Sequence, residues 1–347
     1  MQHPVVANLY NQLALPVIAA PMFLVSGPEM VIAQSASGII GSMPSLNARP
    51  QSQLSEWLSE ISESLATLRA REPERVVAPW AINLIVHHSN DRVEADLATC
   101  EAHKVPIIIT SLRAPGDVVS AVHAWGGKVF HDVTTLRHAE KALEAGVDGL
   151  ILVSAGAGGH AGTISPFALV GEVRRMFDGP IILSGAISRG HDIAAARAMG
   201  ADFAYMGTRF IASHEARAAD AYKQMIVDSA ARDIVYTPYF SGIPGNYLRQ
   251  SVIAAGFDPD ALPAQPAGAT RFDSDDKRDK ADASAPKPWR DIWSAGQGVG
   301  NIEQVMSVAD IVEQLQNEYA DACHRLRDGF GTQEGVDARG GLDTVRL

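Results

Sequence analysis

The run Gly149-Leu150-Ile151-Leu152-Val153 passes directly into Ser154-Ala155-Gly156-Ala157-Gly158-Gly159-His160-Ala161-Gly162-Thr163. An apolar run without polar alternation predicts a strand buried on both faces, as in a parallel sheet covered by helices. The loop behind it is dense in glycine, and a backbone without Cβ atoms can come close to a ligand. His160 stands near its centre, and imidazole, which titrates near neutrality, suits proton transfer. The same loop also reads as a tight connection whose His bonds only the backbone. What surrounds the stretch decides between the two.

Outward from it, short β-branched or apolar runs alternate with longer helical patterns. Strands are predicted at 17–22, 39–43, 80–86, 105–111, 128–133, 149–154, 180–185 and 203–207, and helices at 28–37, 51–71, 91–102, 116–125, 136–145, 166–177, 189–199 and after His214. Eight strand and helix units in succession imply an α/β chain folded as a (β/α)₈ TIM barrel. The rival is an open doubly wound sheet, which normally carries G-x-G-x-x-G after its first strand. Here the first strand runs into Ala20-Pro21-Met22-Phe23 instead, which favours the barrel.

After Phe210 the alternation stops. Residues 214–233 look helical, 236–245 are turn-rich, and 258–288 form a polar stretch containing Asp273-Ser274-Asp275-Asp276-Lys277-Arg278-Asp279-Lys280, read as a solvated surface loop. From Asn301 an amphipathic helix is predicted, with Ile302, Val305, Val308, Ile311, Val312, Leu315 and Tyr319 at helical spacing. The expected organisation is a barrel of residues 1–212 closed by a returning helix within 291–328. A smaller, mainly helical substrate or lid region at 213–290 interrupts it, and a flexible tail follows at 329–347.

The 347 residues carry a net charge of −11, and the basic residues are scattered rather than clustered, so nucleic acid is not expected as a partner. Only Cys100 and Cys323 are present, which implies neither a disulfide framework nor a cysteine metal site and fits a reducing, cytoplasmic setting. Met1-Gln2-His3-Pro4 has no basic and apolar export pattern, and no apolar run reaches about 18 residues, so neither export nor membrane insertion is expected.

In a barrel the site lies at the C-terminal ends of the strands, which places His160 over the mouth, behind the sixth strand. Leu183-Ser184-Gly185-Ala186-Ile187-Ser188-Arg189 follows the seventh strand and opens a helix, and Tyr205-Met206-Gly207-Thr208-Arg209-Phe210 follows the eighth. Backbone N–H groups and a helix N-terminus can converge there on a phosphate, although Gly185 and Gly207 also suit plain strand-to-helix turns. Asn83 and Asp132 are polar intrusions into apolar strands, and each needs a partner, whether ligand or protein. His87, His88, His131 and Asp132 show no metal-ligand spacing such as H-E-x-x-H, so no metal is expected.

These segments together resemble the nitronate monooxygenase family, once called 2-nitropropane dioxygenases. The resemblance runs from Ala19-Ala20-Pro21-Met22 through the Asn83 strand, the Ala155 to Gly162 loop, Ile182-Leu183-Ser184-Gly185-Ala186 and Met206-Gly207-Thr208-Arg209-Phe210 to Ile292-Trp293-Ser294-Ala295-Gly296-Gln297-Gly298, and so covers most of residues 15–315. It implies a barrel that binds FMN, with Pro21, Met22, Phe23 and Asn83 at the flavin ring and Gly158 close to it. It further implies Ser184, Gly185, Ala186, Gly207 and Thr208 at the phosphate, and His160 as catalytic base. Ala186 replaces a glycine common in relatives. Asp132 stands where some relatives place a Lys, so that a positive charge near the flavin is absent.

The activity implied is oxidation of alkyl nitronates, with nitroalkanes as further substrates, by O₂ to carbonyl compounds and nitrite. Two alternatives remain: an FMN-dependent NAD(P)H reductase of quinones or enoyl thioesters, and a non-catalytic barrel that only binds. Tyr247, in the excursion, is a weaker pocket residue that also suits core packing. A small-molecule substrate and O₂ are the expected partners, with a homodimer left open.

Overall fold

The alternation of apolar runs and helices closes on itself in a computed structural model that describes residues 3–263 and 289–329. The eight parallel strands are β1 (Val17–Ala19), β2 (Gly41–Pro44), β3 (Trp80–Val86), β4 (Ile107–Leu112), β5 (Lys128–Val133), β6 (Gly149–Val153), β8 (Ile181–Ser184) and β9 (Phe203–Met206). A short strand, β7 (Gly159–His160), lies outside that sheet. Neighbours run in the order β1-β9-β8-β6-β5-β4-β3-β2. The seam between β1 and β2 is joined by the parallel bridge of Ile18 to Ile40, where the Ala19 N–H donates to Ile40 O at 2.8 Å and the Ile40 N–H to Val17 O at 3.1 Å. The sheet is thus a nearly closed barrel.

Strand side chains alternate between two cores, as a period of two requires. Ile18, Ile40, Ala81, Ile109, Phe130, Ile151, Ile182 and Phe203 fill the interior, and Val6 and Leu9 of α1 (Pro4–Tyr10) join that cluster. The residues between them, such as Val17, Ile82, Ile108, Leu150, Leu183 and Met206, belong to the second core, shared with the helices. Following the inner file one step further along β3, β4, β5, β6, β8 and β9 gives Asn83, Ser111, Asp132, Val153, Ser184 and Tyr205. The barrel interior therefore turns from apolar to largely polar near the C-terminal ends of its strands.

The helices that cover the barrel begin and end within three residues of their predicted bounds; the longest of them, α3 (Gln53–Arg71), buries Leu54, Trp57, Leu58, Ile61 and Leu65. The C-terminal helix, α12 (Val308–Gly329), starts later than its apolar pattern predicts. Ser307 accepts a hydrogen bond from the Asp310 N–H at 3.1 Å and so caps the first turn, while Ile302 is buried ahead of it in a non-α segment. The helix packs back on α8 (Gly190–Ala198) and α2 (Pro28–Ala36).

The excursion contains α10 (Asp220–Asp228) and α11 (Arg249–Ala254), and beside these helices a hairpin of β10 (Ile234–Thr237) and β11 (Gly245–Leu248). The ends of the turn-rich stretch are thus strands, each only four residues long and too short to print an alternation. β11 also pairs antiparallel with β7, setting Gly245 opposite His160 and Asn246 opposite Gly159. The polar run Asp273 to Lys280 and the tail after residue 329 lie outside the described residues. Among the described residues no helix is long and apolar enough to cross a membrane.

Candidate active site

A cavity of about 1000 Å³ opens over the C-terminal ends of the barrel strands. Its wall brings together Pro21, Met22, Phe23, Asn83, Asp132, Gly158, His160, Ser184, Gly185, Ala186, Gly207 and Thr208, all named from the sequence. The set comes from five strand ends and one loop that are far apart in the chain, and the barrel alone makes them neighbours.

The floor is a hydrogen-bonded row across adjacent strands. Asn83 Nδ2 donates to Ile109 O at 3.1 Å and to Ser111 Oγ at 2.8 Å, and Ser111 Oγ donates to Asp132 Oδ2 at 2.7 Å. Burial pushes the Asp132 carboxyl up to about 7, and the bond from Ser111 only partly opposes it. Asp132 Oδ1 and the Tyr205 hydroxyl are buried without a hydrogen-bond partner.

The roof is His160, set by the lid sheet. Its Nε2 lies 3.0 Å from Ser241 Oγ. Ser241 spends its only hydrogen on Ile243 O at 2.9 Å and accepts from the Tyr247 hydroxyl at 3.2 Å. Ser241 can therefore only accept from His160, which fixes the hydrogen on Nε2 and leaves a lone pair on Nδ1. Burial also lowers the imidazole to about 4, so it is neutral at pH 7. Trp289 meets the ring edge-on at 5.4 Å, and Asn246 Nδ2 anchors the loop through Ala157 O at 2.6 Å.

At the far end the chain is packed backbone to backbone. A Cβ on Gly185, whose φ is 137°, would sit 2.3 Å from Ser154 Oγ, and one on Gly158 would sit 2.8 Å from the Gly296 nitrogen. Thr208 Oγ1 accepts from the Gly296 N–H at 2.9 Å and keeps its own hydrogen to donate. Two expectations change here. Ala186, which the resemblance sets at the phosphate, donates its N–H to Gly156 O at 3.2 Å. The first turn of α8, read as part of an anion site, is already occupied by carboxylates. Asp192 takes the Ser188 and Arg189 N–H groups at 2.8 and 2.9 Å, and Glu318 takes that of Gly190 at 2.7 Å.

Tyr247 is a further correction. Its side chain is fully buried, stacks on Trp289 at 5.3 Å, and stands behind Ser241 rather than on the cavity wall. Neither do the residues weighed for a metal converge. His131 and Asp132 project from opposite faces of β5, and His131 is bonded to Thr110 at 2.8 Å. Among the described residues no cluster of His, Cys, Asp or Glu could hold a metal ion. Ser111, Tyr205, Ser241, Asn246 and Trp289 were not legible as site residues. For Ser111 the available signal was its register two residues beyond Ile109 on the inward face.

The chain matches the family model described as nitronate monooxygenase over residues 8–318. It is 25% identical over 348 residues to a nitronate monooxygenase of Neurospora crassa, covering 90% of each chain. Over 220 residues it is 28% identical to one of Paraburkholderia phytofirmans, covering 61% of this chain and about three fifths, 60%, of that one. In three dimensions it resembles FabK of Thermotoga maritima at a TM-score of 0.72 and 24% identity, covering 95% of this chain and 100% of the other. The family match spans the barrel, the glycine loop and the returning helix alike, and the chain belongs to the nitronate monooxygenase family.

Proposed function

We propose that the protein oxidises alkyl nitronates, and the nitroalkanes from which they form, to carbonyl compounds and nitrite, using FMN and O₂. The observation that carries this reading is a neutral His160 whose Nδ1 lone pair is left open beside a cavity of about 1000 Å³. Family membership and the names of the Neurospora and Paraburkholderia relatives support it.

The residues present fit FMN. The cavity is at the upper end of those that take small molecules, and its floor has buried polar atoms, Asp132 Oδ1 and the Tyr205 hydroxyl, still without partners. The ring would lie among Pro21, Met22, Phe23, Asn83 and Gly158, and the phosphate near Ser184, Gly185, Ala186, Gly207 and Thr208. With the Ala186 N–H engaged, the Thr208 hydroxyl and the backbone at Gly185 and Gly207 are the donors for that phosphate. Bound FMN supplies the redox step, accepting an electron from the substrate and passing it to O₂.

The chain supplies the proton chemistry. His160 Nδ1 takes the proton from the carbon next to the nitro group, and Nε2–H stays bonded to Ser241, so the ring does not turn as its charge changes. The imidazolium formed is costly in its buried site, and the nitronate anion beside it offsets that cost. A preformed nitronate needs no such base. In His160→Asn, turnover of 2-nitropropane should fall by a factor on the order of 10² to 10⁴, the usual worth of a positioned base, while that of propionate 3-nitronate should fall far less. Oxygen-uptake assays on both substrates test this, and an equal loss on the two removes His160 as base. Anaerobic mixing with NADH and NADPH tests the reductase alternative, which rapid bleaching of the flavin would favour.

A further inference from the structure

Proton abstraction at His160 makes no use of the carboxyl in the floor. Asp132 sits on the inward face of β5 and lines the cavity. One oxygen, Oδ2, is held by Ser111, which Asn83 holds in turn. The other, Oδ1, is shut away from water without a partner, and so is the Tyr205 hydroxyl, which is near enough to feel the charge on Asp132. A buried carboxylate with an unpaired oxygen is strongly disfavoured against its protonated form.

Its surroundings supply no permanent cation. Thr110 and His131 pair with one another on the opposite face of the wall, β6 presents Ile151 and Val153, and β9 presents Tyr205. From α6 (Leu136–Glu144) His138 lines the cavity, and His160 faces it from the roof. Among the described residues no Lys or Arg lines the cavity at all. A second negative charge in this space therefore meets Asp132 without an opposing charge between them, at close range and away from water.

We propose, on the FMN reading above, that Asp132 compensates the charge of the reduced flavin, taking up a proton when a reductant such as dithionite delivers two electrons to the bound ring. FMN, two electrons and one proton give the reduced anion FMNH⁻. Where Asp132 is ionised over the oxidised ring, a second proton joins its carboxylate in the same step, so the floor becomes neutral as the ring becomes negative. At lower pH, where Asp132 already holds its proton, only the first is taken up. The burial that raises this carboxyl to about 7 places the change of regime at or above neutrality once the ring covers it.

The test is the midpoint potential of the FMN-loaded protein, measured against pH from about 5 to about 10 for the natural chain, Asp132→Asn and Ser111→Ala. Above the pH at which Asp132 ionises, the natural chain should fall about 30 mV per pH unit more steeply than Asp132→Asn, the value of one extra proton in a two-electron couple. Ser111→Ala keeps the carboxyl and removes a bond that favours its charged form, so its bend should move to higher pH. Parallel lines for the natural chain and Asp132→Asn overturn the inference, and so does a bend in Ser111→Ala that stays in place or moves to lower pH. If Asp132→Asn does not fold, proton uptake by the natural chain on reduction with dithionite, read with an indicator dye, decides instead. One more proton per two electrons above the bend than below it supports the inference, and an unchanged count overturns it. A protein that binds no FMN overturns the cofactor reading and this inference with it.

Discussion

The floor of the cavity buries a carboxyl and the roof an imidazole, and burial moves the two in opposite directions. Asp132 is raised to about 7 and His160 is lowered to about 4. Burial penalises charge of either sign, so the acid keeps its proton up to about pH 7 and the base stays unprotonated down to about pH 4. They differ in how their polar atoms are satisfied. His160 Nε2 is held by a serine that a carbonyl and a tyrosine hold in turn, whereas Asp132 keeps an oxygen with no partner. The roof is fixed in one protonation geometry, and the floor is left able to change.

The largest effect expected from this contrast is on stability against pH in the cofactor-free protein. Asp132 titrates in the folded chain above its ordinary value of 3.8, so its contribution is fully present below that pH and is lost as pH rises through about 7. His160 titrates below its ordinary 6.5, so its contribution is present above 6.5 and is lost as pH falls through about 4. The two slopes oppose each other across the same window. Asp132→Asn removes the first, and urea unfolding at pH 5 and pH 8 should then show the variant gaining on the natural chain at the higher pH by ~2.6 kcal/mol. A constant difference between the two pH values would mean that Asp132 is not buried as a neutral acid.

The barrel was legible because its signal is redundant. Seven of the eight strands carry the inward and outward residues that a period of two demands, and Trp80–Val86 and Lys128–Val133 stand at their predicted bounds. The floor was partly legible for the same reason, since Asn83 and Asp132 interrupt apolar strands. Ser111 did not stand out, because a serine at the end of a strand reads as the start of a loop. The roof was legible only at His160. Ser241, Asn246 and Tyr247 lie more than 80 residues further along the chain, and their role depends on β11 pairing with a two-residue strand inside the glycine loop. No local pattern in 234–248 announces that partner. The occupied first turn of α8 was hidden for a related reason, since Glu318 reaches it from α12, 128 residues away.

A smaller effect probes the roof alone. Ser241→Ala removes the acceptor that holds His160 Nε2–H, so the ring can turn and the other nitrogen can carry the hydrogen. The rate constant for 2-nitropropane should fall about tenfold, the equivalent of one hydrogen bond worth about 1.4 kcal/mol. The preformed nitronate should be turned over nearly as before. Tyr247→Phe leaves Ser241 bonded both to His160 and to Ile243, so the order of loss should be Ser241→Ala well ahead of Tyr247→Phe. The reverse order would mean that the hydrogen lies on Nδ1 and that the serine donates to the ring.

The smallest effect separates holding the base from holding the loop that carries it. Tyr236 donates to Ala161 O at 3.0 Å, one residue beyond His160, but its side chain is 44% exposed. Water can take over that carbonyl in Tyr236→Phe, so the loss in stability should stay below about 1 kcal/mol. The loop also keeps its bond from the Ala161 N–H to Pro244 O at 3.2 Å and its anchor through Asn246. Any loss of turnover should therefore be less than about threefold, which corresponds to well under 1 kcal/mol, and should fall equally on nitroalkane and nitronate. A loss confined to the nitroalkane would assign Tyr236 to the same task as Ser241, and the roof would then hold its base from both sides of the loop.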